Sequence, residues 1–356
     1  MNKMTTINDL HIKQISPLIS PKALKMKIPS TKETDTLVFE SRKTISNILS
    51  REDKRLLAIV GPCSIHDRKA ALEYAEKLKK LSRDVDDQFF IVMRIYFEKP
   101  RTTVGWRGMI LDPDMDGSYD IEKGIEIARE LLRDISGIGV PAGSEMLDPI
   151  IPQYISDFLS WAAIGARTTE SQVHRNLASG LSMPVGFKNG TSGNLQLAVN
   201  AVKTAHEKAS FIGIDQDGGT AIFRTTGNDS CHIILRGGDN GPNYYEEDVE
   251  EAVLLMERAD IYSALVVDCS HANSGKKFTR QRRVFRSVID QILYGQKNVA
   301  GVMLESNLFE GNQKIPVDIS RLQYGVSITD ACIGWDETEM LLKKAAESLR
   351  KNEGGR

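Results

Sequence analysis

Eight residues spread along the chain could do chemistry together: Cys63, Arg94, Glu145, Arg167, Lys188, Arg236, His271 and Glu305. They divide by type. Arg94, Arg167, Lys188 and Arg236 are cations, and Lys99 and Arg101 follow shortly after Arg94. Six like charges in one place repel one another unless anions lie between them. Arg offers a planar fork matched to carboxylate and phosphate, and Lys a point charge. The implied ligands are small and highly anionic, with phosphates the leading candidates. The second group is Cys63, His271 and Glu305, joined by Asp330. One thiolate, one imidazole and two carboxylates are a plausible donor set for a divalent transition metal. Drawn from distant segments, they suit a catalytic ion better than a structural zinc. A plainer reading stands beside it: Cys63 as a small buried filler and Glu305 as an ion-pair partner of the arginines. His66 and Asp67 read as turn or cap residues. Cys269 reads as core, pointing the same way as His271 one layer deeper.

Each of the eight closes an apolar run. The runs cover 56–63, 89–94, 140–145, 161–167, 185–188, 232–236, 264–271 and 301–305. Runs of this kind bounded by turn residues read as strands buried on both faces. Between them lie amphipathic helical patterns, for example at 68–82, 120–136 and 194–207. Eight strands alternating with helices predict an α/β fold with a parallel sheet, and eight is the number that closes a (β/α)8 TIM barrel. All carboxyl ends then open on one mouth. A doubly wound open sheet is the alternative, weakened because no GxGxxG follows the first strand.

Two connections, 95–118 and about 210–231, are too long for plain loops, and the second reads as an inserted β-hairpin around Asp217-Gly218-Gly219. Thr169-Glu170-Ser171-Gln172 has capping-box spacing, which predicts a helix starting just after Arg167 with its free N–H groups aimed at an anion. Residues 1–50 form a polar N-terminal extension, either a flexible arm or a contact to a neighbouring subunit. Residues 51–356 form the catalytic barrel.

The bulk numbers narrow the class. With 356 residues, 41% hydrophobic, 26% charged and net charge −2, the chain reads as an ordinary soluble globular protein. It lacks the basic excess of a nucleic-acid or membrane-surface binder. No apolar run reaches the ~18–20 residues that span a bilayer. The first thirty residues show no apolar core ahead of a small-residue cleavage site, so no secretory leader is expected. The cysteines Cys63, Cys231, Cys269 and Cys332 form no CxxC pair, which favours a reducing cytoplasm.

The blocks Gly61-Pro62-Cys63-Ser64, Arg94-Ile95-Tyr96-Phe97-Glu98-Lys99-Pro100-Arg101-Thr102-Thr103, Gly165-Ala166-Arg167-Thr168-Thr169-Glu170-Ser171, Gly186-Phe187-Lys188-Asn189-Gly190-Thr191, Ile234-Leu235-Arg236-Gly237-Gly238, Asp268-Cys269-Ser270-His271-Ala272-Asn273 and Ser327-Ile328-Thr329-Asp330-Ala331-Cys332 carry a resemblance. Together they resemble the signature of 3-deoxy-D-arabino-heptulosonate 7-phosphate (DAHP) synthases, in the microbial class with a short N-terminal extension. The resemblance implies a cytoplasmic barrel enzyme that condenses phosphoenolpyruvate with erythrose 4-phosphate at the head of the shikimate pathway.

It implies further that Cys63, His271, Glu305 and Asp330 hold one divalent metal per subunit (Mn, Fe, Co or Zn). Arg94, Arg167, Lys188 and Arg236 would bind phosphoenolpyruvate, with Gly165 and Ala166 in the same block. Lys99, Pro100, Arg101 and Thr102 would bind erythrose 4-phosphate, and Glu145 would place a water. Lys99, His271 and Cys63 are the candidate catalytic residues. Feedback by an aromatic amino acid is implied at Pro152, Gln153, Leu181, Ser182, Phe211 and Gly213. Gly213, small where a Phe-sensitive member tends to carry Ser, favours tyrosine. Homodimers or homotetramers are implied as well. The related barrel that uses arabinose 5-phosphate is the rival, and Lys99-Pro100-Arg101-Thr102 argues against it. A non-catalytic anion- or amino-acid-binding protein would need a broken metal set, and all four residues are present.

Overall fold

The computed structural model describes residues 8–101, 105–262 and 264–353. Eight parallel strands close into a barrel: β1 (Leu56–Gly61), β2 (Phe89–Arg94), β3 (Ala142–Glu145), β4 (Trp161–Ile164), β5 (Val185–Lys188), β8 (His232–Leu235), β9 (Leu265–Asp268) and β10 (Val299–Glu305). Each lies beside its predecessor, and β1 pairs with β10 to shut the ring. The remaining strands, β6 (Ser210–Ile214) and β7 (Thr220–Arg224), form a separate antiparallel hairpin between β5 and β8.

Alternation along the strands sorts side chains to two cores. On the second strand, Ile91, Met93 and Ile95 face the layer between barrel and helices, whereas Val92 and Tyr96 join the barrel interior. Inside, Leu57, Ile59, Val92, Trp161, Ile234, Val266 and Met303 pack together. His232 also sits inside, fully buried. Burial pushes it down to about 4, so its Nε2 stays neutral and accepts from Trp161 Nε1 at 3.2 Å.

The helix Lys32–Leu49 is capped by Thr31 and buries Ile45, Ile48 and Leu49 in this same interior cluster. Ala264 N–H donates to Leu49 C=O at 3.2 Å, and Ser46 and Ser230 hydroxyls meet at 2.9 Å, both just ahead of strand starts. The helix therefore plugs the amino end of the barrel. The expectation of a flexible arm does not hold for this segment, because its apolar face finds its partner within the chain. Among the described residues no helix is long and apolar enough to cross a membrane.

Several strands stop short of their predicted ends. β1 ends at Gly61, β4 at Ile164 and β9 at Asp268. Pro62 has no N–H to continue a ladder, and Thr168 and Thr169 N–H groups both turn back to Gly165 C=O at 3.0 Å.

Candidate active site

All eight sequence-selected residues gather at the carboxyl end of the barrel. Arg94, Glu145, Lys188 and Glu305 close β2, β3, β5 and β10, and Cys63, Arg167, Arg236 and His271 lie in the turns just past β1, β4, β8 and β9. A cavity of about 660 Å³ is lined by seven of the eight, with Lys99, Pro100, Arg101, Gly165, Ala166 and Asp330 on the same walls. Cys63 sits behind it, fully buried. Thr102 lies outside the described residues.

At the base of the cavity, ligand atoms of Cys63, Glu305 and Asp330 all fall within 4.8 Å of one another. His271 approaches from the side, its Nε2 3.8 Å from Glu305 Oε1. Its Nδ1 lies 2.9 Å from Asp268 Oδ2 and 2.7 Å from Ser270 Oγ. A proton held on Nδ1 by Asp268 leaves the Nε2 lone pair aimed at the cluster. Residue His271 has φ of 54°, a strained value for a non-glycine, so the turn after β9 fixes its backbone. Burial, with Glu305 alongside, pushes the Cys63 thiol up. Burial also works against the Asp330 charge, but Lys99 and His271 hold that carboxylate below its usual range. The Cys63 thiol and the Glu305 and Asp330 carboxylates thus face one another, with Arg94 and Lys99 as cationic neighbours. One sulfur, one imidazole nitrogen and carboxylate oxygens fit a divalent ion of intermediate softness.

The cations are held by named partners. Arg94 is buried, donates to Pro62 C=O, Cys63 C=O and Glu305 Oε1 at 3.1, 3.2 and 2.8 Å, and stacks on Tyr96. Lys99 Nζ donates to Cys63 C=O at 3.0 Å. Burial opposes the Lys99 charge, but Cys63 and Glu305 hold its pKa above the usual lysine value. Lys188 Nζ lies 2.8 Å from Asp268 Oδ2. Burial lowers the Arg236 pKa, Asp268 opposes this, and Arg167 adds to the lowering. Arg167 and Arg236 line the same cavity, and a dianion between them would relieve their repulsion. A side chain on Gly165 would meet Glu145 Oε1 and force that carboxylate to move.

Sequence reasoning passed over several residues that position these groups. Asp268 is buried and receives both Lys188 and His271, which hold it well below the usual carboxylate range despite its burial. Gln281 clamps Glu305 through two backbone bonds of 2.9 Å. Asn189 accepts from Arg236 N–H at 2.8 Å, and Asn273 donates to Leu235 and Asp268 carbonyls. Lys276 adds a further cation to the cavity wall. The only sequence signal for Asp268 was its place at the head of the His271 block.

Two expectations need correction. The helix after Arg167 begins only at Gln172, with Ser171 before it and no side-chain cap bond. Residues 165–170 form turns instead, so no helix N-terminus stands directly at Arg167. Cys269 is core, as expected, but not one layer below His271. It belongs to the layer between barrel and helices, because β9 ends at Asp268 and alternation does not carry across the turn. Asp67 caps the helix Arg68–Val85, its carboxylate accepting from Ala70 N–H at 3.1 Å.

The residues suggested for feedback lie apart from the cavity, where the hairpin meets the N-terminal segment. Gln153 Oε1 accepts from Gln216 Nε2 at 2.8 Å, Lys22 N–H donates to Gln216 C=O at 2.8 Å, and Tyr154 OH donates to Ile19 C=O. Pro152 opens the short helix Pro152–Ile155. Leu181, beside the exposed-side Ser182, is half-buried and its carbonyl accepts from Asn228. Phe211 stacks on Phe223 at 5.3 Å, and that second ring lies 3.0 Å from where a Cβ on Gly213 would stand.

A parallel barrel with cations and a metal-type donor cluster at its carboxyl mouth has the build of an enzyme site for anionic substrates, with donors suited to a divalent ion. Known proteins agree. The DAHP synthetase I family profile matches residues 27–343. The Tyr-sensitive phospho-2-dehydro-3-deoxyheptonate aldolase of Escherichia coli is 50% identical over 343 residues, covering 96% of each chain. The Phe-sensitive enzyme of the same organism is 50% identical over 347 residues, covering 98% of this chain and 99% of its own. The solved structure of phospho-2-dehydro-3-deoxyheptonate aldolase from Francisella tularensis superposes with a TM-score of 0.93 at 47% identity, over 95% of this chain and 98% of that one. The chain belongs to the DAHP synthetase I family, and it is an enzyme of the DAHP synthase kind.

Proposed function

We propose that this chain condenses phosphoenolpyruvate with D-erythrose 4-phosphate and water to give DAHP and inorganic phosphate. The observation that carries the reading is a single cavity lined by seven cations, Arg94, Lys99, Arg101, Arg167, Lys188, Arg236 and Lys276, and by Glu305 and Asp330 of the Cys63, Glu305 and Asp330 cluster. Two phosphate esters repel each other in water, and such a ring offsets that repulsion. Arg94, Arg167, Lys188 and Arg236 hold phosphoenolpyruvate, with Arg167 and Arg236 on its phosphate and Lys188 near its carboxylate. Lys99, Pro100, Arg101 and Thr102 take the sugar phosphate. Glu145, packed on Gly165 and beside Ala166, places the water.

C3 of phosphoenolpyruvate forms the new bond to the aldehyde carbon. Water oxygen adds at C2, and phosphate leaves as the C2–O bond of the resulting hemiketal breaks. A divalent ion held by Cys63, His271, Glu305 and Asp330, with Mn, Fe, Co and Zn all suited to these donors, supplies Lewis acidity toward the aldehyde oxygen when bound. Lys99 is the candidate proton donor, because its neighbours keep it charged.

Feedback by an aromatic amino acid, with tyrosine favoured, belongs to the Gln153–Gln216–Gly213 region. Relatives named for tyrosine and for phenylalanine are equally similar to the chain, so Gly213 alone carries the preference. The active form is a homodimer or homotetramer in the cytoplasm.

The test is phosphate release from both substrates by chelated and remetallated protein, with arabinose 5-phosphate as the competing sugar. Turnover with erythrose 4-phosphate alone supports the reading, and preference for the pentose overturns it. Stronger inhibition by phenylalanine or tryptophan than by tyrosine would overturn the effector, and a monomer in sedimentation would overturn the assembly.

A further inference from the structure

Tyr96 lies two residues past the end of β2, fully buried at the boundary between the apolar barrel interior and the charged mouth. The Arg94 guanidinium carbon stands 3.7 Å from the centre of its ring, and Lys99 Nζ stands 5.9 Å from the same centre. Two of the cavity's cations thus share one aromatic ring. Neither cation is anchored there by chance of sequence spacing. Val92 and Tyr96 point inward with Arg94 between them, and the loop returns Lys99 over the same ring. The Tyr96 backbone takes part as well, since its C=O accepts from Ile65 N–H at 2.9 Å and so ties down the turn that carries Cys63. The Tyr96 hydroxyl has no hydrogen-bond partner among the described residues. The contacts the side chain makes to charged groups are those of its ring.

We propose that Tyr96 is a positioning residue whose ring, through its negative π face, holds Arg94 and Lys99 in the geometry that receives phosphoenolpyruvate. This rests on the substrate reading given above. A desolvated cation–π contact is among the stronger of its kind. Arg94 in turn grips Glu305 at 2.8 Å, so the platform also sets one wall of the metal cluster.

The test replaces Tyr96 by Phe and then by 4-fluoro-, 3,5-difluoro- and 3,4,5-trifluorophenylalanine, which drain the π face at nearly constant volume. Wild-type turnover of phosphoenolpyruvate is established first, so failure of the substrate reading shows there and not in the series. Tyr96→Phe is expected to keep KM for phosphoenolpyruvate within about twofold. Along the fluorinated series KM is expected to climb stepwise, about tenfold in all, with a smaller change in kcat. Melting temperature serves as the control for packing. A flat KM across the series would overturn the proposal. So would a Tyr96→Phe variant as impaired as the trifluoro form, since the hydroxyl would then carry the role.

Discussion

The two ends of the barrel solve opposite problems with the same strands. At the amino end, Ile45, Ile48 and Leu49 fill the opening with apolar surface, and His232, fully buried in the barrel interior, is kept neutral. At the carboxyl end, Arg94, Lys188, Asp268 and Glu305 are buried as deeply, yet each has a partner of opposite sign within 3 Å. Burying a charge is tolerated only when it is paired and hydrogen-bonded. The difference shows that the mouth is built for charge and the floor for cohesion. Damage at the two ends should therefore be felt in different measurements.

The largest effect is expected at the mouth. Removing divalent ions with a chelator should abolish phosphate release, on the order of a thousandfold or more, and adding Mn, Fe, Co or Zn back should restore it. Full activity in a verified metal-free preparation would dissolve the contrast between the ends. Next in size is Asp268→Asn, which leaves Lys188 without its counter-charge and offers His271 Nδ1 at best a neutral amide oxygen in place of the carboxylate. Metal affinity or kcat/KM is expected to fall about 10–100-fold, the scale for removing the carboxylate behind a metal-ligating histidine. A change under threefold would show that the pairing is incidental.

The floor should answer in stability alone. Ile48→Ala removes buried methyl groups from a sealed cluster and is expected to lower unfolding free energy by about 2–4 kcal/mol. The kcat/KM of the folded fraction should stay unchanged. A large kinetic defect at full foldedness would mean that the two ends communicate.

What the sequence revealed follows the same division. Strand alternation and the polar residue ending each apolar run located the mouth, because both are local patterns. Arg94, Glu145, Lys188 and Glu305 fell on the last residue of a strand, as read. The floor plug was not legible, since the apolar stripe of Lys32–Leu49 says that a partner exists and not which one. Asp268 and Gln281 were missed for a related reason. Their importance comes from what they touch across the barrel, and a carboxylate inside a β-strand or a glutamine opening a helix carries no such address. Tyr96 was passed over within its block, because nothing in the sequence says that its ring lies under two cations.

The smallest expected effect lies at the rim, where Glu98 is 4% exposed and adjoins the Lys99 loop. Burial, reinforced by Asp148 and Glu145 and opposed by Arg107, pushes its carboxyl up to about 8. The folded form therefore binds this proton more tightly than the unfolded form does. Between the ordinary carboxylate pKa and about 8 the native state holds more protons, so this group's contribution to stability is present at acidic pH and is lost as pH rises through about 8. Unlike the paired acids deeper in the mouth, Glu98 is best accommodated neutral. Glu98→Gln keeps the neutral shape and removes the titration. Denaturant melts from pH 5 to 9 should show wild-type stability falling from pH 5 until about pH 8 and levelling above it, with a flatter profile for the variant. Parallel profiles for the two proteins would mean that Glu98 is ionised throughout, and that the rim, like the interior of the mouth, supplies it with a counter-charge.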